Sequence, residues 1–199
     1  MASILVVCTG NICRSPMAEG FLRTALERRL GPEAPPVASA GVIGHEGGAA
    51  EPEAVRAAAE RDVDIADHVV RRLRHEHIRA ADVIVGMARE HRRAVARAVP
   101  EAAGRTFTLK ELVRLLEALP AGAVEPDGAR GRLPARVARA DELRREGFPV
   151  LDEDVEDPLG MPLETFRAVA RELETWCDRL IAALFGGGEI RADPRAESA

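Results

Sequence analysis

The stretch ILVVCTGNICRSP, residues 4–16, decides the fold of this chain. Its apolar beginning is typical of a strand in a parallel sheet that is covered on both faces, and we predict a strand over residues 3–7. Its end predicts a helix over residues 16–30, because proline is favoured in the first helical turn and serine, here Ser15, is a common N-cap. A tight loop with two cysteines and one arginine joins the strand to the helix.

The alternation of strand and helix continues along the chain. Apolar strand patterns recur at residues 36–42, 82–87 and 105–109, and helical patterns separate them. This order predicts a parallel sheet with helices on both faces, and functional sites in such folds form beyond the carboxyl ends of the strands. We therefore predict an α/β fold, a three-layer sandwich around a four-stranded parallel sheet.

Length and composition predict a single domain. The 199 residues are sufficient for one well-buried domain, which we assign to residues 1–185. Residues 120–149 are rich in proline, glycine, alanine and arginine, so we interpret them as a surface insertion with one helix at residues 136–146. The last helix is predicted to begin near Pro162 and to bury a stripe that includes Cys177, and residues 186–199 are expected to form a disordered tail.

Charge and cysteine content exclude several classes of protein. With a formal net charge of −5 and 3% aromatic residues, the chain lacks the features of nucleic-acid-binding proteins. No apolar run approaches the ~20 residues of a membrane helix, and no basic stretch precedes the first apolar segment as in a secretory signal. Three cysteines, an odd number, do not form a disulfide framework. We expect a monomeric, cytoplasmic protein without a nucleic-acid or membrane partner.

The loop at residues 8–14 has the features of a phosphate site. Backbone N–H groups of such a loop point inward and the following helix adds its positive dipole end, so an anion is stabilised there. The same field favours the thiolate of Cys8, which is then a nucleophile. The planar fork of Arg14 suits two equatorial oxygens of a phosphoryl-transfer transition state. We predict that Cys8 and Arg14 are catalytic and that the phosphate-binding loop also includes Thr9, Gly10, Asn11, Ile12, Cys13 and Ser15.

Individual residue types within the loop have their own predicted tasks. Gly10 permits a close backbone approach, and Asn11 tolerates the left-handed conformation that tight loops require. Ser15 is predicted to hydrogen-bond the sulfur of Cys8, to cap the helix, or to do both. The alternative is a chance match in which Cys8 and Cys13 are small buried apolar residues. The functional interpretation is favoured because the spacing coincides with a strand, a loop and a helix.

A general acid is needed as well, because cysteine attack on a phosphoester expels an alkoxide or a phenolate. The run LDEDVEDPLG, residues 151–160, offers five carboxylates. We predict Asp157, since Pro158 restricts it to an extended conformation and the neighbouring carboxylates favour its protonated form. The alternative is an ordinary turn aspartate before a proline. His75 and His77 lack a set of partners for a metal, so we expect neither metal nor cofactor.

The loop resembles the active-site loop of the low molecular weight protein-tyrosine-phosphatase family, in its bacterial branch. Other fragments agree, namely SAG at residues 39–41, DH at 67–68, FTLKE at 107–111 and DP at 157–158. The resemblance covers residues 3–119 and 154–185. It implies a hydrolase that removes phosphate from phosphotyrosine in a protein or peptide through a cysteinyl-phosphate intermediate. Asp157 then serves as acid in the first step and as base in the second.

The resemblance also implies roles for residues around the loop. Ser39 and His68 resemble residues that support the loop by hydrogen bonds, although a merely structural polar pair fits the sequence equally well. Cys13 resembles a cysteine that forms a reversible disulfide with the nucleophile, and a structural thiol is the alternative.

Two alternatives concern the substrate, and one concerns activity itself. Relatives that act on phosphotyrosine usually carry an aromatic residue after the Asp-Pro pair, where this chain has Leu159. The protein-arginine-phosphatase branch typically has threonine in place of Ile12, and we favour phosphotyrosine because Ile12 is expected to line the pocket. An arsenate reductase would need further cysteines near the middle of the chain. A silent phosphate-binding module would need neither a nucleophile nor an acid.

Overall fold

The computed structural model describes residues 3–119, 128–149 and 154–186. Its sheet has the strand order β2-β1-β3-β4, and all neighbouring strands are parallel. The strands are β1 (Ile4–Cys8), β2 (Val37–Gly41), β3 (Val83–Gly86) and β4 (Thr106–Thr108). Within the described residues the α-helices are α1 (Arg14–Leu30), α2 (Pro52–Ala59), α3 (His75–Ala80), α4 (Arg89–Ala98), α5 (Leu109–Glu117), α6 (Gly128–Arg145) and α7 (Leu163–Phe185).

The sheet separates two apolar cores, and its inner strand β1 contributes side chains to both. Successive side chains of a strand point to opposite faces of the sheet. Accordingly Ile4, Val6 and Cys8 belong to a large core that includes residues of α1, α5 and α7, whereas Leu5 and Val7 belong to a smaller core that includes residues of α3 and α4. Helices therefore cover both faces of the sheet, and the predicted three-layer α/β fold is confirmed.

The first helix begins earlier than predicted. Its first residue is Arg14 and its N-cap is Cys13, without a capping side chain. Ser15 therefore lies inside the helix, and its predicted role as N-cap is wrong. The physical reason is that the Ser15 hydroxyl has other partners, because it lies 2.9 Å from the sulfur of Cys8.

The predicted surface insertion contains a helix that contributes to the core. Helix α6 begins at Gly128, eight residues before the predicted start, and Ala129, Leu133, Val137 and Ala140 are buried in the large core. The sequence did not indicate a helix before residue 136, because the internal proline, Pro134, is unfavourable inside a helix. The rest of the insertion at residues 120–127, and all of the predicted tail except Gly186, lie outside the described residues.

None of the helices in the described ranges is long and apolar enough to span a membrane.

Candidate active site

The loop after β1 lines a cleft of about 270 Å³ at the carboxyl end of the sheet. The prediction that a site forms there follows from the parallel topology, because the loops that leave the strands meet at this edge. The floor of the cleft is made by residues of the loop itself. Its walls come from the segments after β2, before α3 and before α7, and include Ile43, His45, Gly48, Val70, Asp157 and Leu159.

The sulfur of Cys8 lies among hydrogen-bond donors. The backbone N–H of Asn11 donates to it at 3.2 Å, and the Ser15 hydroxyl oxygen lies at 2.9 Å. The side-chain amide of Asn11 already donates to that hydroxyl oxygen at 2.9 Å, so the Ser15 proton is available to the sulfur. Both groups stabilise negative charge on sulfur, as a thiolate nucleophile requires.

Asn11 holds the loop in shape. It has a φ of +58°, the left-handed conformation predicted for this position, and its side chain is fully buried. Its amide nitrogen donates to the hydroxyls of Ser15 and Ser39, and its amide oxygen accepts the backbone N–H of Arg71 at 2.8 Å. Since every polar group of this side chain that faces the protein has a partner, the loop is tied to α1, to β2 and to the segment before α3.

Ser39 and His68 both contact the loop from behind. Ser39 accepts a bond of 2.8 Å from Asn11, and its own hydroxyl donates to the carboxylate of Glu19. His68 Nε2 lies 3.0 Å from the carbonyl oxygen of Asn11, and its Nδ1 lies 3.9 Å from Glu19. Burial lowers the pKa of His68, so the neutral ring donates to that carbonyl. Sequence reasoning missed Glu19, because nothing local distinguishes it from other helical acids.

The backbone of the loop approaches β2 closely, with Gly10 on one side and Gly41 on the other. A Cβ on Gly41 would lie 2.7 Å from the carbonyl carbon of Gly10 and 2.8 Å from the backbone nitrogen of Asn11. A Cβ on Gly10 would meet only the side chain of Ile12, at 3.2 Å. β2 therefore needs a glycine where the backbone of Gly10 packs against it, and the role predicted for Gly10 itself stays a prediction.

The structure brings Arg14 and Asp157 together, although 143 positions separate them. The guanidinium of Arg14 is buried and forms an ion pair with the half-exposed carboxylate of Asp157. Its other hydrogen bonds go to the carbonyl oxygen of Val155 at 3.2 Å and to the Thr9 hydroxyl at 3.3 Å. Asp157 also accepts the backbone N–H of Leu159 at 3.3 Å. In this state the nearest charged partner of Asp157 is Arg14, and not the neighbouring acids that the sequence suggested.

Two hydrogen bonds place Asp157 over the cleft. The backbone N–H of Val155 donates to the carbonyl oxygen of Met87, just after β3, at 2.8 Å. Asp154 accepts the backbone N–H of Arg89, the first residue of α4, at 2.8 Å. These bonds anchor the segment to the end of β3, so the next residues reach across the loop at residues 8–14.

The other two cysteines are buried thiols. Burial raises the pKa of Cys13 to about 12, and the neighbouring Cys8 adds to the effect. Cys177 lies fully buried in α7, as predicted for core packing, and burial raises its pKa as well. Both groups therefore stay protonated at neutral pH, which leaves Cys8 as the candidate nucleophile.

His91 is a site residue that sequence reasoning missed. It belongs to α4 and is 1% exposed. Its Nε2 lies 3.0 Å from the hydroxyl oxygen of Thr9, and its buried Nδ1 has no hydrogen-bond partner in the described part of the chain. Burial, assisted by the charge of Arg14, lowers the pKa of His91 to about 4. The ring is therefore neutral at physiological pH.

The low pKa of His91 predicts a pH-dependent stability. Between pH 6.5, its ordinary pKa, and about 4 the unfolded chain binds a proton that the folded chain excludes, so stability falls as pH falls. The contribution of one such group reaches about 1.4 kcal/mol per pH unit. We expect His91→Gln to flatten the dependence of the unfolding free energy on pH in this window, as measured by urea titrations. Parallel slopes for the two proteins would contradict the assignment.

A family model described as low molecular weight phosphotyrosine protein phosphatase matches residues 3–125. The chain belongs to this family. A protein-arginine-phosphatase of Geobacillus stearothermophilus is 34% identical over 181 residues, which cover 91% of this chain and 95% of that protein. A probable low molecular weight protein-tyrosine-phosphatase of Erwinia amylovora is 41% identical over 53% of this chain and 69% of its own length.

The fold comparison agrees with the family. The crystal structure of a low molecular weight protein tyrosine phosphatase from T. tengcongensis is 36% identical and has a TM-score of 0.69. The match covers 92% of this chain and 100% of that chain. The predicted family and the predicted class of enzyme, a hydrolase of phosphorylated proteins, are thereby confirmed for this low molecular weight phosphatase.

Proposed function

We propose that this low molecular weight phosphatase hydrolyses phosphotyrosine in proteins, with Cys8 as nucleophile, Arg14 as transition-state stabiliser and Asp157 as general acid and base. One observation carries the proposal. The buried guanidinium of Arg14 lies between the loop that holds Cys8 and the carboxylate of Asp157, so all three groups face one cleft. A nucleophile, a fixed cation and an acid in one cleft are the parts that metal-free phosphoryl transfer needs.

Substrate binding exchanges the partner of Arg14. Two phosphate oxygens accept hydrogen bonds from the guanidinium. This bidentate contact replaces the ion pair between Arg14 and Asp157. Asp157 is thereby released from its cation, and in the proposed mechanism it enters the first displacement as the acid. The backbone N–H of Leu159, 3.3 Å from one carboxylate oxygen, keeps the side chain at the mouth of the cleft.

The reaction then proceeds in two displacements. Cys8 sulfur attacks phosphorus, the bond from phosphorus to the phenolic oxygen breaks, and Asp157 gives its proton to that oxygen. In the second step Asp157 takes a proton from water, whose oxygen attacks phosphorus while the bond from sulfur to phosphorus breaks. The Ser15 hydroxyl and the Asn11 N–H stabilise the departing thiolate. The phenol leaves after the first displacement and inorganic phosphate after the second. Asp157 then releases its proton to solvent and pairs again with Arg14, which restores the starting state.

The walls of the cleft favour an aromatic leaving group. Ile12, Ile43, Val70 and Leu159 line it with aliphatic carbon, and Leu159 is 53% exposed at the rim. Such a surface buries the ring of phosphotyrosine without leaving polar groups unpaired. A guanidinium would need acceptors on these walls instead.

Phosphoarginine in proteins is the second candidate substrate. It is supported by the relative from Geobacillus stearothermophilus, a protein-arginine-phosphatase that matches 91% of this chain. The Asp157 carboxylate at the mouth of the cleft supplies one acceptor for a guanidinium.

An arsenate reductase is disfavoured, because the third cysteine, Cys177, is fully buried in α7. The monomeric state, the cytoplasmic location and the absence of a nucleic-acid partner stay predictions.

Substitution of Ile12 separates the two substrates. We expect the wild type to have a higher kcat/KM for a phosphotyrosine peptide than for a phosphoarginine peptide of the same sequence. Ile12→Thr should shift this ratio about tenfold toward phosphoarginine, because a hydroxyl pairs with the guanidinium and the apolar contact is lost.

The matched control is Val69→Thr, the same kind of substitution at an exposed valine that does not line the cleft. It should leave the ratio within about twofold of the wild type. A wild type that prefers phosphoarginine would overturn the proposed substrate. An unchanged ratio in Ile12→Thr would remove Ile12 as its determinant.

A further inference from the structure

We propose that His91 is a positioning residue that fixes the Thr9 hydroxyl and, through it, the guanidinium of Arg14 in the orientation that the transition state requires. The inference rests on the proposed phosphatase function of the Cys8 site. It concerns a residue of α4, on the side of the sheet opposite to α1.

The Thr9 hydroxyl connects His91 to Arg14. Its oxygen accepts a hydrogen bond from Arg14 Nη2 at 3.3 Å and lies 3.0 Å from His91 Nε2. Glu90 Oε1 lies 3.4 Å from the same hydroxyl oxygen, and the Glu90 side chain is 70% exposed. His91 is 1% exposed. Of the two α4 residues that contact the Thr9 hydroxyl, His91 therefore makes the shorter contact and is the more deeply buried.

This connection matters most once the substrate is bound. In the free enzyme three groups hold the Arg14 guanidinium, namely Asp157, the Val155 carbonyl and the Thr9 hydroxyl. The phosphate displaces Asp157, which then has to carry a proton. The Val155 carbonyl and the Thr9 hydroxyl remain, and a planar fork held at two points keeps one orientation. Without His91, Thr9 would be free to rotate and one of these two points would be lost.

The protonation state of His91 fits this task. Arg14 disfavours the cationic ring, whereas Glu90, Asp154 and Asp157 favour it, and burial decides for the neutral form. A neutral ring next to Arg14 contributes a hydrogen bond without a second positive charge. A cation at this position would repel the guanidinium that it is meant to hold.

Because the effect passes through Thr9, a double-mutant cycle tests it. With an aryl phosphate as substrate, His91→Leu should lower kcat about tenfold and change KM less than about twofold. Thr9→Val should have a similar effect on kcat. In the Thr9→Val background His91→Leu should have no further effect beyond about twofold, because the group through which it acts is already gone.

Transition-state and ground-state analogues provide a second readout. The orthovanadate inhibition constant should rise about tenfold in His91→Leu, whereas that of orthophosphate should change less than about twofold. His91→Gln, whose amide reaches the Thr9 hydroxyl, should retain about a third or more of wild-type kcat. If His91→Leu fails to fold, His91→Asn, whose side chain is one methylene shorter than that of His91→Gln, takes its place in the cycle.

Control variants separate positioning from loss of stability. Val95→Ala truncates another fully buried residue of α4 and should lower the melting temperature while leaving kcat unchanged. Equal effects of His91→Leu in both backgrounds, or a loss of kcat in Glu90→Gln and none in His91→Leu, would overturn the proposal. A wild type without turnover would instead refute the proposed function, so the two failures are distinguishable.

Discussion

Cys8→Ser is expected to lower the turnover of 4-nitrophenyl phosphate by about 10⁴-fold or more. A serine hydroxyl is a much weaker nucleophile than the cysteine sulfur that we propose for the first displacement. Phosphate binding should survive, because the backbone N–H groups of the loop and the Arg14 guanidinium are unchanged. Steady-state kinetics and calorimetric titration with orthophosphate measure the two quantities separately.

The control for this substitution is Cys177→Ala. It removes the fully buried sulfur of α7, so it should cost stability through a small cavity while turnover stays unchanged. Full activity in Cys8→Ser would show that the mechanism is wrong. Orthophosphate binding by a wild type that turns over no aryl phosphate would instead indicate a silent phosphate-binding module.

Asp157→Asn is expected to lower kcat for phosphotyrosine by roughly 10²- to 10³-fold, within the range of general acid catalysis. The amide keeps nearly the same shape but cannot donate a proton to the leaving oxygen. The loss should shrink with better leaving groups, because a weakly basic phenolate departs without protonation. A series of aryl phosphates with leaving groups of increasing acidity measures this trend.

Glu156→Gln is the matched control, since it neutralises the exposed acid immediately before Asp157. It should leave kcat within about twofold of the wild type for every leaving group. An equal loss in both variants would mean that the charge of the segment matters rather than the acid itself. A loss in Asp157→Asn that is the same for all leaving groups would refute proton donation.

Much of the loop was predictable because its contacts are local. Cys8, Asn11 and Ser15 lie within eight residues of one another. An asparagine at position 11 indicates the left-handed φ, and a serine at position 15 indicates the hydrogen bond to sulfur. The α/β fold was predictable for a similar reason, since buried strands and amphipathic helices each have a period that can be read from neighbours.

Helix α6 shows the limit of such reading. Its buried residues are spaced as a helix requires, but glycines, arginines and Pro134 weaken the local pattern. Packing against α5 and α7 compensates for that weakness, and packing partners distant in the chain are not visible in a window of neighbouring residues.

The sequence by itself determined the parallel sheet, and it predicted the phosphate loop and the residues that we propose as nucleophile, cation and acid. Only the tertiary structure decided that Asp157 pairs with Arg14, that Glu19 and His91 contact the side chains around the loop, and that β2 needs a glycine at Gly41. The physical reason is the separation along the chain over which each effect acts. Hydrophobic periodicity and turn preferences depend on neighbouring residues. Ion pairs, buried hydrogen bonds and steric fit depend on which distant segments the folded chain brings within a few ångströms.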